Sequence, residues 1–260
     1  MLKGLNAIVT GSTSGIGLGI ANVLASKGAN LVITGFGDAD EIEKERAGLA
    51  AKYGVEVVYS NADMSKPDDV RAMVELCVEK LGSVDILVNN AGIQHTDAVE
   101  DFPEAKWHAV IAINLSGIFF AIQAALPHMK KKGFGRIINI GSVHGLIASK
   151  HKAAYVAAKH GVVGLSKVVA LENAGTGITS NTICPGWVHT PLVQKQIEAM
   201  AADQGISVEA ATEKLLIEKQ PSKQFATPEQ MGELAAFLSS EAAAQITGTA
   251  IPVDGGWTAQ

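Results

Sequence analysis

Aromatic side chains are scarce in this chain of 260 residues: Phe, Trp and Tyr together make up 5 % of it. Ala, Val, Ile and Gly are plentiful instead. Small and β-branched residues suit strands covered by helices on both faces, where layers approach closely. No basic block is present, and the formal net charge is −5, so nucleic acid is not expected as a partner. An anionic substrate gains nothing from such an overall field, so local cations would have to hold it. Cysteine is limited to Cys77 and Cys184, in no C-x-x-C pairing. That reads as two reduced thiols in a cytoplasmic protein, and no metal site is expected. Met1-Leu2-Lys3-Gly4 runs directly into a strand without the apolar stretch of a signal peptide. No run reads as apolar enough to span a membrane, so no membrane partner is expected. Asn114-Leu115-Ser116 matches a glycosylation sequon; without a secretion signal it reads as chance. What remains is a globular composition, 47 % hydrophobic against 18 % charged, on a chain long enough for one large α/β core or two small domains.

Strand-like runs alternate with helix-length segments throughout. The strands read as Asn6–Thr10, Leu31–Thr34, Val55–Ser60, Ile86–Asn90, Arg136–Ile140, Ile178–Cys184 and Ala250–Val253. Helices read as Ile16–Lys27, Asp40–Tyr53, Pro67–Leu81, a long stretch from near Pro103 to Lys132, and Ala153–Glu172. Gly28, Gly54, Gly82 and Gly133 serve as stops, and Thr227-Pro228-Glu229-Gln230 carries the signature of a capped helix start. Strict β-α alternation predicts right-handed crossovers and one parallel, doubly wound α/β sheet of seven strands, with residues 1–260 as a single domain. One segment breaks the rhythm. Between Thr190 and Thr227 lie helices at Pro191–Ala202 and Ser207–Lys219 with no strand between them, a candidate helical lid over the site.

The first strand runs into Thr10-Gly11-Ser12-Thr13-Ser14-Gly15-Ile16-Gly17, a glycine-rich turn that opens a helix. Glycines allow a tight turn and close backbone approach, and a helix N-terminus favours an anionic pyrophosphate. Further motifs follow in order: Asn89-Asn90-Ala91-Gly92 after the fourth strand, Asn114 in the long helix, Ser142 after the fifth strand, Tyr155-Val156-Ala157-Ala158-Lys159, and Pro185-Gly186 after the sixth. The T-G-x-x-x-G-x-G spacing and this ordered set resemble the short-chain dehydrogenase/reductase family over essentially the whole chain. The resemblance implies a Rossmann-type domain holding a nicotinamide dinucleotide. Its site would comprise Gly11, Thr13, Gly15, Ile16, Gly17, Phe36, Asp63, Asn90 and Gly92, and would reach Tyr155, Lys159, Pro185, Gly186, Val188 and Thr190. Asp63 also reads as an ordinary helix cap before Pro67. After the second strand, Gly35-Phe36-Gly37-Asp38 lacks the acid that NAD-preferring members carry there, or displaces it. Equally, no Arg or Lys stands nearby to meet a 2′-phosphate, so NAD is the expected cofactor.

Tyr155 and Lys159 are four apart on a predicted helix and share a face. A nearby ammonium favours a phenolate, which predicts a lowered pKa for a side chain that ordinarily titrates near 10. The resemblance assigns Tyr155 as general acid/base and Lys159 as ribose anchor and pKa tuner. Ser142 would hydrogen-bond the substrate oxygen, and Asn114 would hold a water relaying protons. Around these, His144 lies two after Ser142, and Lys152 three before Tyr155 with His151 as a rival. Gln94 and His95 follow the fourth strand, and Gln196 places an amide on the Leu192–Met200 stripe. Amides, His and Lys together suit a small carboxylate, and Trp187 and Trp257 supply a compact apolar wall. Lys150-His151-Lys152 also reads as a solvated charge run, and His144 as a satisfied turn residue.

Gln94-His95, Ser142-Val143-His144-Gly145-Leu146, Lys152, Cys184-Pro185-Gly186-Trp187-Val188 and Val253-Asp254-Gly255-Gly256-Trp257 resemble one branch of the family, the one that oxidises D-3-hydroxybutyrate to acetoacetate with NAD. That implies a carboxylate site of Gln94, His144, Lys152 and Gln196, a pocket shaped by Trp187 and Trp257, and a homotetramer packed through the two long helices. Another small alcohol, such as a sugar or a 3-hydroxyacyl thioester, and a non-catalytic dinucleotide-binding protein are the alternatives.

Overall fold

The computed structural model describes residues 2–259. In chain order it contains β1 (Asn6–Val9), α1 (Gly15–Ser26), β2 (Asn30–Thr34), α2 (Ala39–Tyr53), β3 (Val57–Ser60), α3 (Pro67–Leu81), β4 (Ile86–Asn89) and α4 (Glu104–Ile111). There follow α5 (Gly117–Lys132), β5 (Gly135–Ile140), α6 (Ala153–Glu172), β6 (Ile178–Pro185), α7 (Pro191–Gln204), α8 (Val208–Lys219), α9 (Pro228–Leu238) and β7 (Ala250–Val253). The seven strands form one parallel sheet in the order β3-β2-β1-β4-β5-β6-β7. Winding reverses between β1 and β4, and ligands bind at the carboxyl ends of the strands beside such a switch point.

Neighbouring residues along each strand feed opposite layers, as the pleat requires. Val9, Ile33, Val88 and Ile138 pack into a core with Ile20 and Leu24 of α1 and Met231 of α9. Ile8, Val32, Leu87 and Ile137 pack into another, with Met73 of α3, Ile122 of α5 and Val162 of α6. Both faces are covered, which is why the strands read as unbroken apolar runs. Where α1 crosses α9, a Cβ on Gly19 would come within 2.3 Å of Pro228, so glycine sets the approach.

Most predicted elements are present, with ends shifted by a residue or two. Ser207 lies outside α8 as its N-cap, accepting from the Ala210 amide at 3.2 Å. Thr227 and Gln230 form a reciprocal capping box on α9. Two expectations need correction. The long helix is interrupted by a π-helical turn, Ala112–Ser116, between α4 and α5. Two stretches are also long and apolar enough, by length and composition, to cross a membrane: Glu104–Lys132, with mean hydropathy 2.0, and Ala153–Glu172, with 1.2. In this fold both lay an apolar face on the sheet or on each other, through Val110, Ile118, Ile122, Val162 and Val169.

Candidate active site

The loops at the carboxyl ends of the strands enclose three adjoining cavities. The first, of about 420 Å³, lies over the switch point and is lined by Gly11, Thr13, Gly15, Ile16, Phe36, Asp63, Asn90, Gly92 and Thr190. Gly11 and Gly15 adopt left-handed φ values of 62° and 55°. A Cβ on Gly17 would meet Gly11 O at 2.2 Å and Asn90 Nδ2 at 2.5 Å, so Gly17 acts by letting α1 close on its own loop. Asn90 Nδ2 fixes that loop through bonds to Thr10 O at 2.9 Å and Gly11 O at 3.0 Å. Helix α1 starts at Ser14 with no side-chain cap and no acid in its first turn. Its positive end is therefore left to whatever enters the cavity, and the cradle fits a dinucleotide pyrophosphate.

At the adenosine end Phe36 is 72 % exposed on the rim. Asp38, the displaced acid, is used as the cap of α2, accepting from the Asp40 and Glu41 amides at 3.0 and 3.1 Å. Asp63 closes a turn on Ser65, accepting from its hydroxyl at 2.7 Å and its amide at 2.9 Å, and these bonds hold its carboxyl below the usual range. The α3 cap is Lys66, so Asp63 is not the helix cap that the sequence also allowed.

The central cavity, of about 680 Å³, brings together Gln94, His95, Ser142, Tyr155, Lys159, Pro185, Gly186 and Gln196. Lys159 is 3 % exposed, donates to Ile140 O at 2.7 Å, and is pushed down to about 8 by burial. Its ammonium lies 5.5 Å from the centre of the Tyr155 ring. The expected lowering of the Tyr155 pKa is not found. Burial raises it, against the opposing effect of a hydrogen bond from Ser142. Tyr155 keeps part of its surface open to the cavity. Asn114 is fully buried on the π-helical turn, a deviation frequent at functional sites. It accepts from the Ile93 amide at 2.9 Å and donates to Ile93 O at 2.8 Å, anchoring the loop that carries Gln94.

A third recess of about 200 Å³ opens beside Tyr155, walled by Gln94, Ser142, His144, Lys152, Trp187, Val188 and Trp257. Val188, expected at the dinucleotide, borders this recess and is 3 % exposed. Trp187 and Trp257 stack at 6.3 Å and 28°. Lys152, not His151, faces the recess; His151 is exposed on a left-handed turn with φ of 64°. The Lys152 pKa is lowered by burial and by Lys219 at the end of α8. His144 is pushed down to about 4 by burial, then by Lys152 and Lys219, and so is neutral. Its Nδ1 lies 3.3 Å from Ser142 Oγ and its Nε2 2.8 Å from Ser149 Oγ. Gln196 is exposed and lines the central cavity with Leu192, while the stripe that packs on α8 is Ile197 and Ala201. One positioning residue had no sequence signal. Gln220, 1 % exposed, accepts from the Trp187 amide at 2.9 Å and donates to Gln224 O, tying the end of α8 to the recess wall.

Comparison with known proteins bears on this arrangement. A family model described as enoyl-(acyl carrier protein) reductase matches residues 11–258. A D-beta-hydroxybutyrate dehydrogenase of Cupriavidus necator is 58 % identical over 260 residues, covering 100 % of both chains. Another, of Rhizobium meliloti, is 52 % identical over 254 residues, covering 98 % of both. Among solved structures, L-sorbose reductase from Gluconobacter frateurii, complexed with NADPH and L-sorbose, matches with a TM-score of 0.95 at 31 % identity, covering 100 % of this chain and 98 % of that one. With its motifs in order on this sheet and matched from end to end, the chain belongs to the short-chain dehydrogenase/reductase family.

Proposed function

We propose that this enzyme catalyses the reversible, NAD-dependent oxidation of D-3-hydroxybutyrate to acetoacetate. The observation that carries the reading is Lys152. It is a half-buried ammonium facing a recess sized for a short chain, and the charge that acts on it is another cation, Lys219. Such a site calls for an anion. The 58 % and 52 % identical relatives named for D-beta-hydroxybutyrate support the same choice. In this reading Lys152 takes the carboxylate with Gln94, His144 and Gln196, and the Trp187–Trp257 wall takes the methyl end.

The glycine loop, Phe36, Asp63 and Thr190 would hold the dinucleotide, and Lys159 its ribose. No Lys or Arg lines the adenosine end of the cavity among the described residues, which favours NAD over a 2′-phosphorylated cofactor. The bound nicotinamide supplies the hydride acceptor. Tyr155 takes the proton of the substrate hydroxyl, and Ser142 donates to the same oxygen as its charge changes. Lys159, beneath the Tyr155 ring, favours the phenolate once its own charge is secured by a ribose contact. Oligomerisation follows the resemblance: a cytoplasmic homotetramer packed through the outer faces of α5 and α6, where Phe119, Val168 and Leu171 are 43, 50 and 79 % exposed.

Removing Lys152 isolates the carboxylate contact. A charge-assisted hydrogen bond contributes about 1.5–3 kcal/mol, so Lys152→Ala should raise the KM for D-3-hydroxybutyrate roughly 10- to 100-fold. It should also abolish competitive inhibition by acetate. Unchanged KM and unchanged inhibition would show that Lys152 does not bind the substrate.

A further inference from the structure

Both recess tryptophans stand on turns that rest against one side chain, Gln220, the C-cap of α8. Gln220 is 1 % exposed and is not itself part of the recess wall. Its Oε1 accepts from the Trp187 amide at 2.9 Å, and its Nε2 donates to Gln224 O. Both partners are backbone groups, so the roles are fixed: an amide N–H can only donate and a carbonyl can only accept. The Trp187 carbonyl is tied to the same segment, accepting from the Ala226 amide at 2.9 Å.

Glycine clears the slot in which Gln220 lies. A Cβ on Gly186 would come within 2.8 Å of Gln220 Oε1, and a Cβ on Gly255 within 2.7 Å of Gln220 Cγ. Gly186 precedes Trp187, and Gly255 stands two before Trp257. The Ser222 amide donates to Gly255 O at 2.9 Å, so the chain leaving α8 is bonded to the second turn as well. Asp254 closes that turn around Trp257, accepting from the Gly256 and Thr258 amides at 3.0 and 2.8 Å. Gln220 therefore spaces the turn of Trp187 from the turn of Trp257, whose rings stack at 6.3 Å and 28°. A buried amide left without an acceptor is costly, so losing Gln220 drives the Trp187 turn to move. In a close-packed recess of about 200 Å³, a wall that moves changes what fits.

We infer that Gln220, from behind the recess, sets the length of hydroxy acid the enzyme accepts, by holding Trp187 against Trp257. The choice of substrate rests on the function proposed above; the hold on the tryptophan stack does not. The test compares kcat/KM for D-3-hydroxybutyrate and for D-3-hydroxypentanoate, one methylene longer, in wild type and Gln220→Met. Near-ultraviolet circular dichroism of the free protein is read beside it, with Trp187→Phe identifying the share of the signal that the stack supplies. A fitted apolar pocket discriminates one methylene by roughly 10- to 200-fold, and Gln220→Met should narrow the wild-type ratio roughly 10-fold. Its KM for NAD should stay within about twofold, and the stack signal should weaken. Mere destabilisation would lower both rates and leave their ratio unchanged. Gln220→Glu keeps an acceptor for the Trp187 amide and should keep the ratio; both acids carry the same carboxylate, so the added charge cancels. Should Gln220→Met fail to fold, Gln220→Asn, a methylene too short to hold both partners, takes its place. A ratio that does not narrow, an unchanged stack signal, or a Gln220→Glu variant as unselective as Gln220→Met would overturn the inference. If wild type oxidises neither acid, the proposed substrate fails and the stack signal alone decides: its loss in Gln220→Met supports the hold on the wall, and its persistence overturns it.

Discussion

Lys159 destabilises the fold that holds it. Burial lowers its pKa from 10.5 to about 8, so the unfolded chain binds that proton more tightly than the native one. The sign follows: the unfolded state gains as pH falls from 10.5 to about 8, and below that the penalty is complete, about 3 kcal/mol. The bond to Ile140 O offsets part of it, and removing that bond leaves a buried carbonyl at a cost of about 1–3 kcal/mol. Lys159→Met should therefore melt a few degrees higher at pH 7, about 2–4 °C for each net kcal/mol, while turnover is lost. The advantage should shrink toward pH 10. A lower melting point at pH 7 would contradict the sign. The sequence showed that Tyr155 and Lys159 share a helix face, but not that burial outweighs the ammonium at the phenol. Desolvation depends on what surrounds a hydroxyl in three dimensions, and spacing carries no trace of it. Gln220 was hidden for the same reason: a glutamine before a proline looks like a loop residue until the Trp187 amide is placed against it.

At the scale of elements, the glycine loop and α1 stand or fall together. Gly17→Ala would drive a methyl against the backbone of Gly11, 2.2 Å from its O, and against Asn90 Nδ2 at 2.5 Å. Dinucleotide binding should be lost in a titration of NAD followed by tryptophan fluorescence quenching, and the melting temperature should fall. Retained affinity would show that the loop shifts freely. Alternation, caps and stops were legible because each depends on local chemistry: Pro67 at the first turn of α3, Gly82 left-handed at its end, and the Thr227–Gln230 box. The π-helical turn at Ala112–Ser116 was not, since its residues are as helix-compatible as their neighbours. On it Asn114 is bonded to Ile93, a tertiary contact of which a helical pattern carries no trace. Helix α5 runs on through Pro127 to Lys132, where the sequence reading ended it.

For the whole molecule, α7 and α8 form a small unit of their own. Ile197, Ala201 and Ala211 pack between them, apart from the two main cores. Ties to the body include the Val188–Ala226 bridge and the Gln220–Trp187 bond. A unit with few buried contacts to the rest opens at low free energy, and Leu192 and Gln196 place it over the central cavity. It should act as a lid: amide exchange across residues 191–219 should slow when NAD and acetate are added together. Exchange unchanged by both would rule out closure. The position of this pair was visible as a break in β-α alternation, while the face it turns to the cavity was not, because Gln196 and Ile197 are adjacent and only packing decides which is covered.

The central claim is that a carboxylate-binding recess beside Tyr155 makes this family member a D-3-hydroxybutyrate dehydrogenase. The most direct measurement is NADH formation by the purified protein with NAD and D-3-hydroxybutyrate, run beside the L isomer, lactate, a sugar alcohol and a 3-hydroxyacyl thioester, and repeated with NADP. The account predicts rapid turnover confined to the D isomer and to NAD. Faster turnover of the thioester or the sugar alcohol, or a preference for NADP, would contradict it.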